Sequence, residues 1–143
     1  MSTAWTITFD CADPAALAAF WCQALGYVEG APPAGFATWD DWRRDKGLLE
    51  TVGVGADSII DPEGRAPRIW FQVSPDGKTV PNRLHLDISA SGGWTLPAAT
   101  RKERIDAAVR RLSELGATVV ATGDPEFYAV GMKDPEGNEF DIN

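Results

Sequence analysis

The sequence has a single histidine, His85, and only two cysteines among 143 residues. Cys11 and Cys22 do not form a C-x-x-C arrangement, which excludes a cysteine-rich metal module and favours two reduced, structural thiols. A lone histidine also excludes an iron site built from two histidines and one carboxylate of the same chain. Any metal chemistry must therefore depend on His85 and on oxygen ligands.

Basic residues are scarce as well, since 13 Lys and Arg stand against 21 Asp and Glu, a net charge of -8. A phosphate backbone or an anionic membrane surface would be repelled, and no Lys/Arg cluster offsets this, so we expect neither as a partner. No apolar run approaches the length of a membrane span. Residues 1–5 lack a basic segment followed by an apolar run, so we expect no signal peptide and a cytoplasmic protein.

What the chain does contain is ordinary for one globular domain, with 44% hydrophobic and 24% charged residues. Its six tryptophans are many for this length. Trp5 and Trp21 are predicted to lie in the core. So many tryptophans also suit an aromatic-lined pocket that would bind a small molecule. Trp39, Trp42 and Trp94 lie in connections, where they could form either a pocket lid or a dimer contact.

The first half reads as a strand, a helix and three further strands. Residues 5–10 alternate apolar with polar side chains, which predicts a strand with two different faces. Asp13 and Pro14 predict a helix N-terminus, and Gly26 fits its C-terminal end. The helix presents one apolar stripe, formed by Leu17, Phe20, Trp21, Ala24 and Leu25.

The rest of this half is less regular. Residues 27–29 predict a short strand, and residues 48–60 predict a strand with a bulge near Gly53 and Gly55. Residues 68–74 predict another strand, followed by a linker over residues 75–83. The segment 36–46, with Trp39 and Trp42 among charges, predicts either a pocket-covering loop or a surface turn.

The second half repeats this order. Residues 84–89 alternate like the first strand, residues 101–115 have a helical apolar face, and Gly116 ends that helix. Strands are predicted at 117–121, 127–133 and 139–142. The pair Leu115-Gly116 matches Leu25-Gly26, and Asp-Pro-Glu-Gly occurs in the same slot of each half, at 61–64 and 134–137. This self-similarity predicts two like modules.

These motifs resemble the vicinal oxygen chelate superfamily, specifically its glyoxalase-like domains. The resemblance extends over nearly the full length and is carried by Asp13, Phe20-Trp21, Leu25-Gly26, residues 82–88, Leu115-Gly116-Ala117 and residues 134–140. It implies an α+β fold in which two pseudo-symmetric βαβββ modules form a curled mixed sheet around a cleft, with helices outside. Module one would be residues 1–74, module two residues 84–143, and the single-domain protein would form a homodimer.

Strand parity places candidate side chains on the face away from the helices. Thr6 and His85 come out as equivalent positions of the two halves, and Trp70 and Gln72 match Glu139 and Asp141. The resemblance implies that Thr6, Gln72, His85 and Asp141 occupy the positions where the family holds its metal.

The expected metal set is incomplete. His85 and Asp141 are good ligands for Zn, Ni, Mn or Fe, Gln72 is a weak one, and Thr6 is hardly a ligand. Extradiol dioxygenase chemistry is therefore excluded by the single histidine. Glyoxalase I chemistry is disfavoured because it needs a stronger metal site.

Two functions stay open. One is a lyase or isomerase acting on a small carbonyl or aromatic molecule, metal-assisted or metal-free, with His85 and Asp141 as catalytic residues. The other is a non-catalytic protein that binds an antibiotic-type ligand. In either case the residues expected to line the binding site are Thr6, Thr8, Trp39, Trp42, Trp70, Gln72 and Asp87.

Overall fold

The computed structural model describes residues 3–48, 55–125 and 127–143 of the chain. The order of elements is β1 (Ile7–Cys11), α1 (Pro14–Leu25), β2 (Val28–Glu29), α2 (Trp39–Asp45), β3 (Gly55–Ile60), β4 (Ile69–Val73), β5 (Leu86–Ile88), α3 (Ala98–Glu114), β6 (Thr118–Thr122), β7 (Val130–Lys133) and β8 (Glu139–Ile142). No helix in these ranges is long and apolar enough to cross a membrane.

The chain divides into two compact units, Met1–Gly77 and Lys78–Asn143. Each unit contains one four-stranded sheet, ordered β1-β4-β3-β2 in the first and β5-β8-β7-β6 in the second. In each sheet the first pair of strands is parallel and the remaining pairs are antiparallel. The predicted α+β class with two βαβββ modules is confirmed.

The core of the first unit forms as its sequence predicts. The Asp13 carboxylate accepts a hydrogen bond from the Ala16 N–H at 3.0 Å, which caps α1. Gly26 ends the helix in the left-handed conformation, with φ of 72°. The stripe residues of α1 face the sheet, where Phe9 contacts Trp21 with 5.4 Å between ring centroids. The buried members of the stripe are Leu17, Phe20, Trp21 and Ala24.

Three expectations for this unit are corrected or left open. Trp5 is 65% exposed rather than in the core, because β1 begins only at Ile7. The segment 36–46 is neither a loop nor a turn: it contains α2, capped by the Thr38 hydroxyl, which accepts from the Asp41 N–H at 3.0 Å. A register shift between Gly55 and Asp57 bears out the bulge there, whereas Gly53 lies outside the described residues.

The second unit follows the same plan with shifted boundaries. Helix α3 begins at Ala98, three residues before the predicted start, and it has no side-chain cap at Pro97. Its residues Ile105 and Leu112 are buried, as predicted for its apolar face. Strand β7 begins at Val130, later than predicted. The prediction for β8 is confirmed to the residue.

The hydrogen bonds of the parallel pairs correct the expected equivalence of the halves. The Cys11 carbonyl accepts from Ser74 N at 2.9 Å, and the Ile88 carbonyl accepts from Asn143 N at 3.0 Å. Ile88 therefore corresponds to Cys11, and His85, three residues earlier, corresponds to Thr8. The predicted match of His85 with Thr6 is wrong by two residues, which is one full period of a strand.

Candidate functional site

Three charged or polar side chains converge on one face of the second sheet. His85 Nε2 lies 3.2 Å from Asp87 Oδ1 and 3.5 Å from Asp141 Oδ2. One ligand atom from each residue lies within 4.8 Å of the others. Their side chains are 51%, 55% and 44% exposed, so the cluster is open to solvent. We call these three residues the His-Asp-Asp cluster.

The backbone fixes this arrangement. Asp87 and Asp141 are direct partners in the register of the parallel strands β5 and β8. The neighbours of Asp141 in β8, Phe140 and Ile142, are buried on the opposite face of the sheet and hold the strand in place. His85 precedes Asp87 by two residues, and the alternation of side chains along an extended chain brings it to the same side.

The electrostatics of the cluster depend on what lies between the His85 ring nitrogen and the two carboxylates. A ring nitrogen without a proton presents a lone pair, and two carboxylates beside it would repel that lone pair and each other. A proton on His85 Nε2, or a cation bound between the three groups, removes this repulsion. The cluster is therefore suited to holding a proton or a metal ion.

Beside the cluster, the sheet lacks bulky side chains. Gly131 of β7 is the register partner of Asp141, and Ala121 of β6 is the partner of Gly131. A Cβ atom at Gly131 would lie 3.4 Å from Asp141 Oδ1. The space above these two small residues is thus bordered by the carboxylate of Asp141.

A second group of charges surrounds Glu139, also on β8. Its Oε2 atom accepts from the Asn82 N–H at 2.9 Å and lies 2.8 Å from Lys78 Nζ. These contacts, the Lys78 hydrogen bond first, lower the pKa of Glu139 to about 2. Lys133 Nζ lies 3.8 Å from the other oxygen, Oε1. A cavity of about 220 Å³ lies here, lined by Lys78, Thr79, Val80, Pro81, Lys133, Glu136, Gly137 and Glu139.

The predicted site residues of the first unit lie on or near its own sheet. Thr8 is the register partner of Trp70, and Gln72 is the partner of Asp10. The Gln72 amide donates to Asp10 Oδ1 at 3.4 Å. Thr6 is exposed and precedes β1. Gln72 thus contacts a carboxylate of its own unit.

The three tryptophans predicted as pocket residues form an aromatic cluster in the first unit. Trp39 contacts Trp70 with 5.4 Å between ring centroids and Trp42 with 5.8 Å, both edge to face. The Trp39 indole N–H donates to the Gly30 carbonyl at 2.9 Å. Arg68 lies over the Trp70 ring at 5.2 Å. All three rings are half-buried.

Asp57 lies at the edge of this aromatic cluster. It lines a cavity of about 60 Å³ together with Trp39 and Ser58. Burial raises the pKa of the Asp57 carboxyl, and Arg43 acts in the opposite direction. The sequence did not single out this carboxylate, because residues 48–60 read only as strand material.

The sequence predicts Asp87 on the same strand face as His85, lining the binding site, where it could orient the ring or act as an acid or base. The structure places it closer to His85 Nε2 than Asp141 is. The signal was present as a His-x-Asp pair on one strand face. What the sequence could not give is the register of β5 against β8, which sets Asp87 directly beside Asp141.

The model of a protein family described as glyoxalase-like domain matches residues 6–143 of the chain. No curated protein matches the chain.

Solved structures share the fold at low sequence identity. The hypothetical protein SA1046 from S. aureus has a TM-score of 0.62 and 18% identity, covering 99% of this chain and 93% of its own. A glyoxalase/bleomycin resistance protein/dioxygenase family enzyme from Burkholderia phytofirmans PsJN has a TM-score of 0.60 and 18% identity. The match covers 96% of this chain and 94% of that enzyme. A third structure is a variant of the fosfomycin resistance protein FosX from Listeria monocytogenes, complexed with Mn(II) and 1S,2S-dihydroxypropylphosphonic acid. It has a TM-score of 0.62 and 12% identity, and the match covers 100% of this chain and 92% of the FosX chain.

Proposed function

The chain belongs to the glyoxalase-like domain family of the vicinal oxygen chelate superfamily, and we propose that it binds a small carbonyl or aromatic molecule beside a divalent metal ion held by His85, Asp87 and Asp141. The observation that carries this proposal is the approach of both carboxylates to one ring nitrogen, at 3.2 and 3.5 Å. The FosX protein of the same fold was solved with Mn(II), which supports a metal in this chain as well.

Two of the three separations in the cluster fit a metal, while the widest, which is within 4.8 Å, would shorten when an ion is bound. Ligand atoms bound at about 2.0 to 2.2 Å from one ion are separated by roughly 3 to 3.5 Å in tetrahedral or octahedral geometry. The two nitrogen-to-oxygen distances fall in this range. One imidazole with two carboxylates is a mixed, oxygen-rich set that suits Mn(II), Fe(II) or Zn, and Ni less well.

The proposed metal ligands differ from those expected from the sequence at one position. Gln72, named from the sequence as a third ligand, already donates its amide to Asp10. Asp87 takes its place in the proposal, as a charged ligand from the same sheet as His85 and Asp141. The second unit would then supply three ligands by itself, enough for a catalytic metal site with open positions.

The chemistry proposed is that of a lyase or isomerase. A bound metal would supply a Lewis acid that polarises an oxygen of the substrate. The chain's own residues would orient the substrate and move a proton next to that group, with a side chain of His85, Asp87 or Asp141 that is not engaged by the ion as the acid or base. The exposure of all three side chains leaves room for a substrate to reach them.

A second candidate, a ligand-binding protein without chemistry, is favoured by the aromatic cluster of Trp39, Trp42 and Trp70. Half-buried indole rings with an arginine at 5.2 Å would accept a flat aromatic ligand. In that case the His-Asp-Asp cluster would need no metal.

Metal analysis of protein purified without a His tag separates the two candidates. The enzyme proposal expects about one Mn, Fe or Zn per chain, lost in His85→Ala. The binder expects metal-free protein whose tryptophan fluorescence is quenched by aromatic compounds, with quenching weakened in Trp70→Ala. Metal-free protein that regains none after incubation with Mn(II), Fe(II) or Zn would contradict the metal centre.

A further inference from the structure

We propose that the cavity beside Glu139 binds the oxyanion group of a small molecule, a carboxylate or phosphate-type group, with the Lys133 ammonium as its positive partner. The cavity measures about 220 Å³ and is built within the second unit. That volume is enough for a charged group and a few attached atoms. The proposal that one molecule reaches both this cavity and the His-Asp-Asp cluster rests on the proposed function. Anion binding in the cavity does not depend on it.

The two lysines of the cavity differ in how strongly they are engaged. Lys78 Nζ lies 2.8 Å from Glu139 Oε2 and also donates to the Val80 carbonyl, and its side chain is 20% exposed. Lys133 Nζ lies 3.8 Å from Glu139 Oε1, beyond hydrogen-bond distance, and its side chain is 42% exposed. An ammonium group carries three donors, so Lys133 can bond a ligand oxygen without breaking a short ion pair.

Glu139 does not prevent an anion from binding nearby. Its charge is compensated by Lys78 and by the Asn82 N–H, both on Oε2. Glu136 also lines the cavity, so the four charged side chains of the lining cancel formally. Selectivity for an anion therefore depends on the position of Lys133, the lysine whose ion pair is the longer one.

The cavity lies next to the His-Asp-Asp cluster on the same face of the sheet. Glu139 and Asp141 are two residues apart on β8, which places them about 7 Å apart on one face. On β7, Lys133 is the partner of Glu139 and Gly131 is the partner of Asp141. Because Gly131 has no side chain, a molecule anchored at Lys133 can extend above Gly131 toward Asp141.

This geometry narrows the substrate class of the proposed function. The ligand would carry an oxyanion at one end and, about 7 Å away, a second oxygen that reaches the His-Asp-Asp cluster. A neutral aromatic molecule would leave the Lys133 ammonium with only its long ion pair to Glu139, so anionic ligands are expected to bind more tightly than their neutral analogues.

Inorganic phosphate and acetate are suitable probes, titrated into 15N-labelled protein in the presence of a chelator that removes metal. In wild type, phosphate is expected to shift the amide signals of Lys78, Thr79, Val80, Asn82 and Gly137. Lys133→Gln should raise the dissociation constant about tenfold or more, because it removes one charge-assisted hydrogen bond. Lys46→Gln, the same substitution in the first unit, should leave it unchanged. Equal binding to Lys133→Gln, or shifts elsewhere only, would overturn the anion site.

His85→Ala separates this site from the metal centre. Phosphate binding that persists in metal-free His85→Ala supports an anion site independent of the cluster, even where the metal proposal fails. Phosphate binding that disappears in that variant places the anion at the cluster and overturns the proposal. Wild-type protein that binds Mn(II) but shows no phosphate response at residues 78–82 also overturns it, while the metal proposal stands.

Discussion

The side chain of Glu139 accepts a hydrogen bond from the backbone N–H of Asn82 at 2.9 Å, and the Asn82 amide in turn donates to the Glu139 carbonyl at 3.2 Å. These two bonds tie the start of β8 to the segment that leads into His85. Lys78 adds an ion pair at 2.8 Å to the same carboxylate. Glu139 therefore connects the position of His85 to that of Asp141, two residues further along β8.

This connection predicts a pH-dependent contribution to stability. Because the folded-state pKa of Glu139 is lowered from 4.5 to about 2, its contribution is full above pH 4.5 and is lost as the pH falls toward 2. The free energy of unfolding of wild type should exceed that of Glu139→Gln by a margin that shrinks over this range. Denaturant titrations at several pH values measure it. Glu103→Gln controls for the loss of one negative charge, and a margin independent of pH contradicts the prediction.

The two Asp-Pro-Glu-Gly turns predict an asymmetric effect of matched substitutions. Asp134 is buried and accepts from the backbone N–H of Glu136 at 3.0 Å and of Asn138 at 2.9 Å. Asp134→Ala should lower the free energy of unfolding by about 3 kcal/mol, because it leaves two half-buried donors without an acceptor. Asp61→Ala, at the equivalent but more exposed turn, should cost less. Equal losses in chemical denaturation would contradict this account.

The aromatic cluster predicts that Trp39→Phe destabilises the first unit. The substitution keeps a ring against Trp70 but removes the hydrogen bond to the Gly30 carbonyl. We expect a loss of about 1 kcal/mol in the free energy of unfolding, measured by urea denaturation. Trp94→Phe, at an exposed ring, serves as the matched control. A loss no larger than that of the control would show that the indole hydrogen bond is unimportant.

Gly131 predicts different outcomes for a small and a branched substitution. Its φ is not in the left-handed region, so Gly131→Ala should be tolerated and should stabilise the strand by up to about 1 kcal/mol. Gly131→Val should instead press on Asp141 Oδ1, which would lie 3.4 Å from the new Cβ. Overpacking of about 1 to 3 kcal/mol corresponds to metal binding weakened about 5- to 150-fold, measured by titration with Mn(II). Equal metal affinities of the two variants would contradict the crowding.

Local signals in the sequence predicted most of the fold. The cap at Asp13, the left-handed Gly26 and the alternation along β8 depend on neighbouring residues, so they can be recognised without tertiary information. The misplacement of Trp5 has the opposite origin. Alternation continues through residues 5–10, but the pairing with β4 begins only at Ile7, and pairing is not encoded locally.

The candidate site was predicted in part for the same reason. His85 and Asp141 followed from the repeat and from the family resemblance. The match of His85 with Thr6 failed because a slip of two residues preserves the alternation of faces and therefore cannot be detected from parity. The alignment of the two halves is fixed only by the hydrogen bonds between β1 and β4 and between β5 and β8. These bonds set Asp87 opposite Asp141 in the second unit, just as Asp10 lies opposite Gln72 in the first.

The affinity of the protein for Mn(II), compared between Asp87→Asn and Asp10→Asn, tests the central claim most directly. The two residues occupy equivalent register positions in the two units, but only Asp87 lies beside a histidine and a second carboxylate. Loss of a residue that merely supports a ligand typically weakens binding about 10- to 100-fold, so loss of a ligand should cost more than about 100-fold. The account predicts that loss for Asp87→Asn and wild-type affinity for Asp10→Asn. Equal affinities of the two variants would contradict a metal centre formed by His85, Asp87 and Asp141.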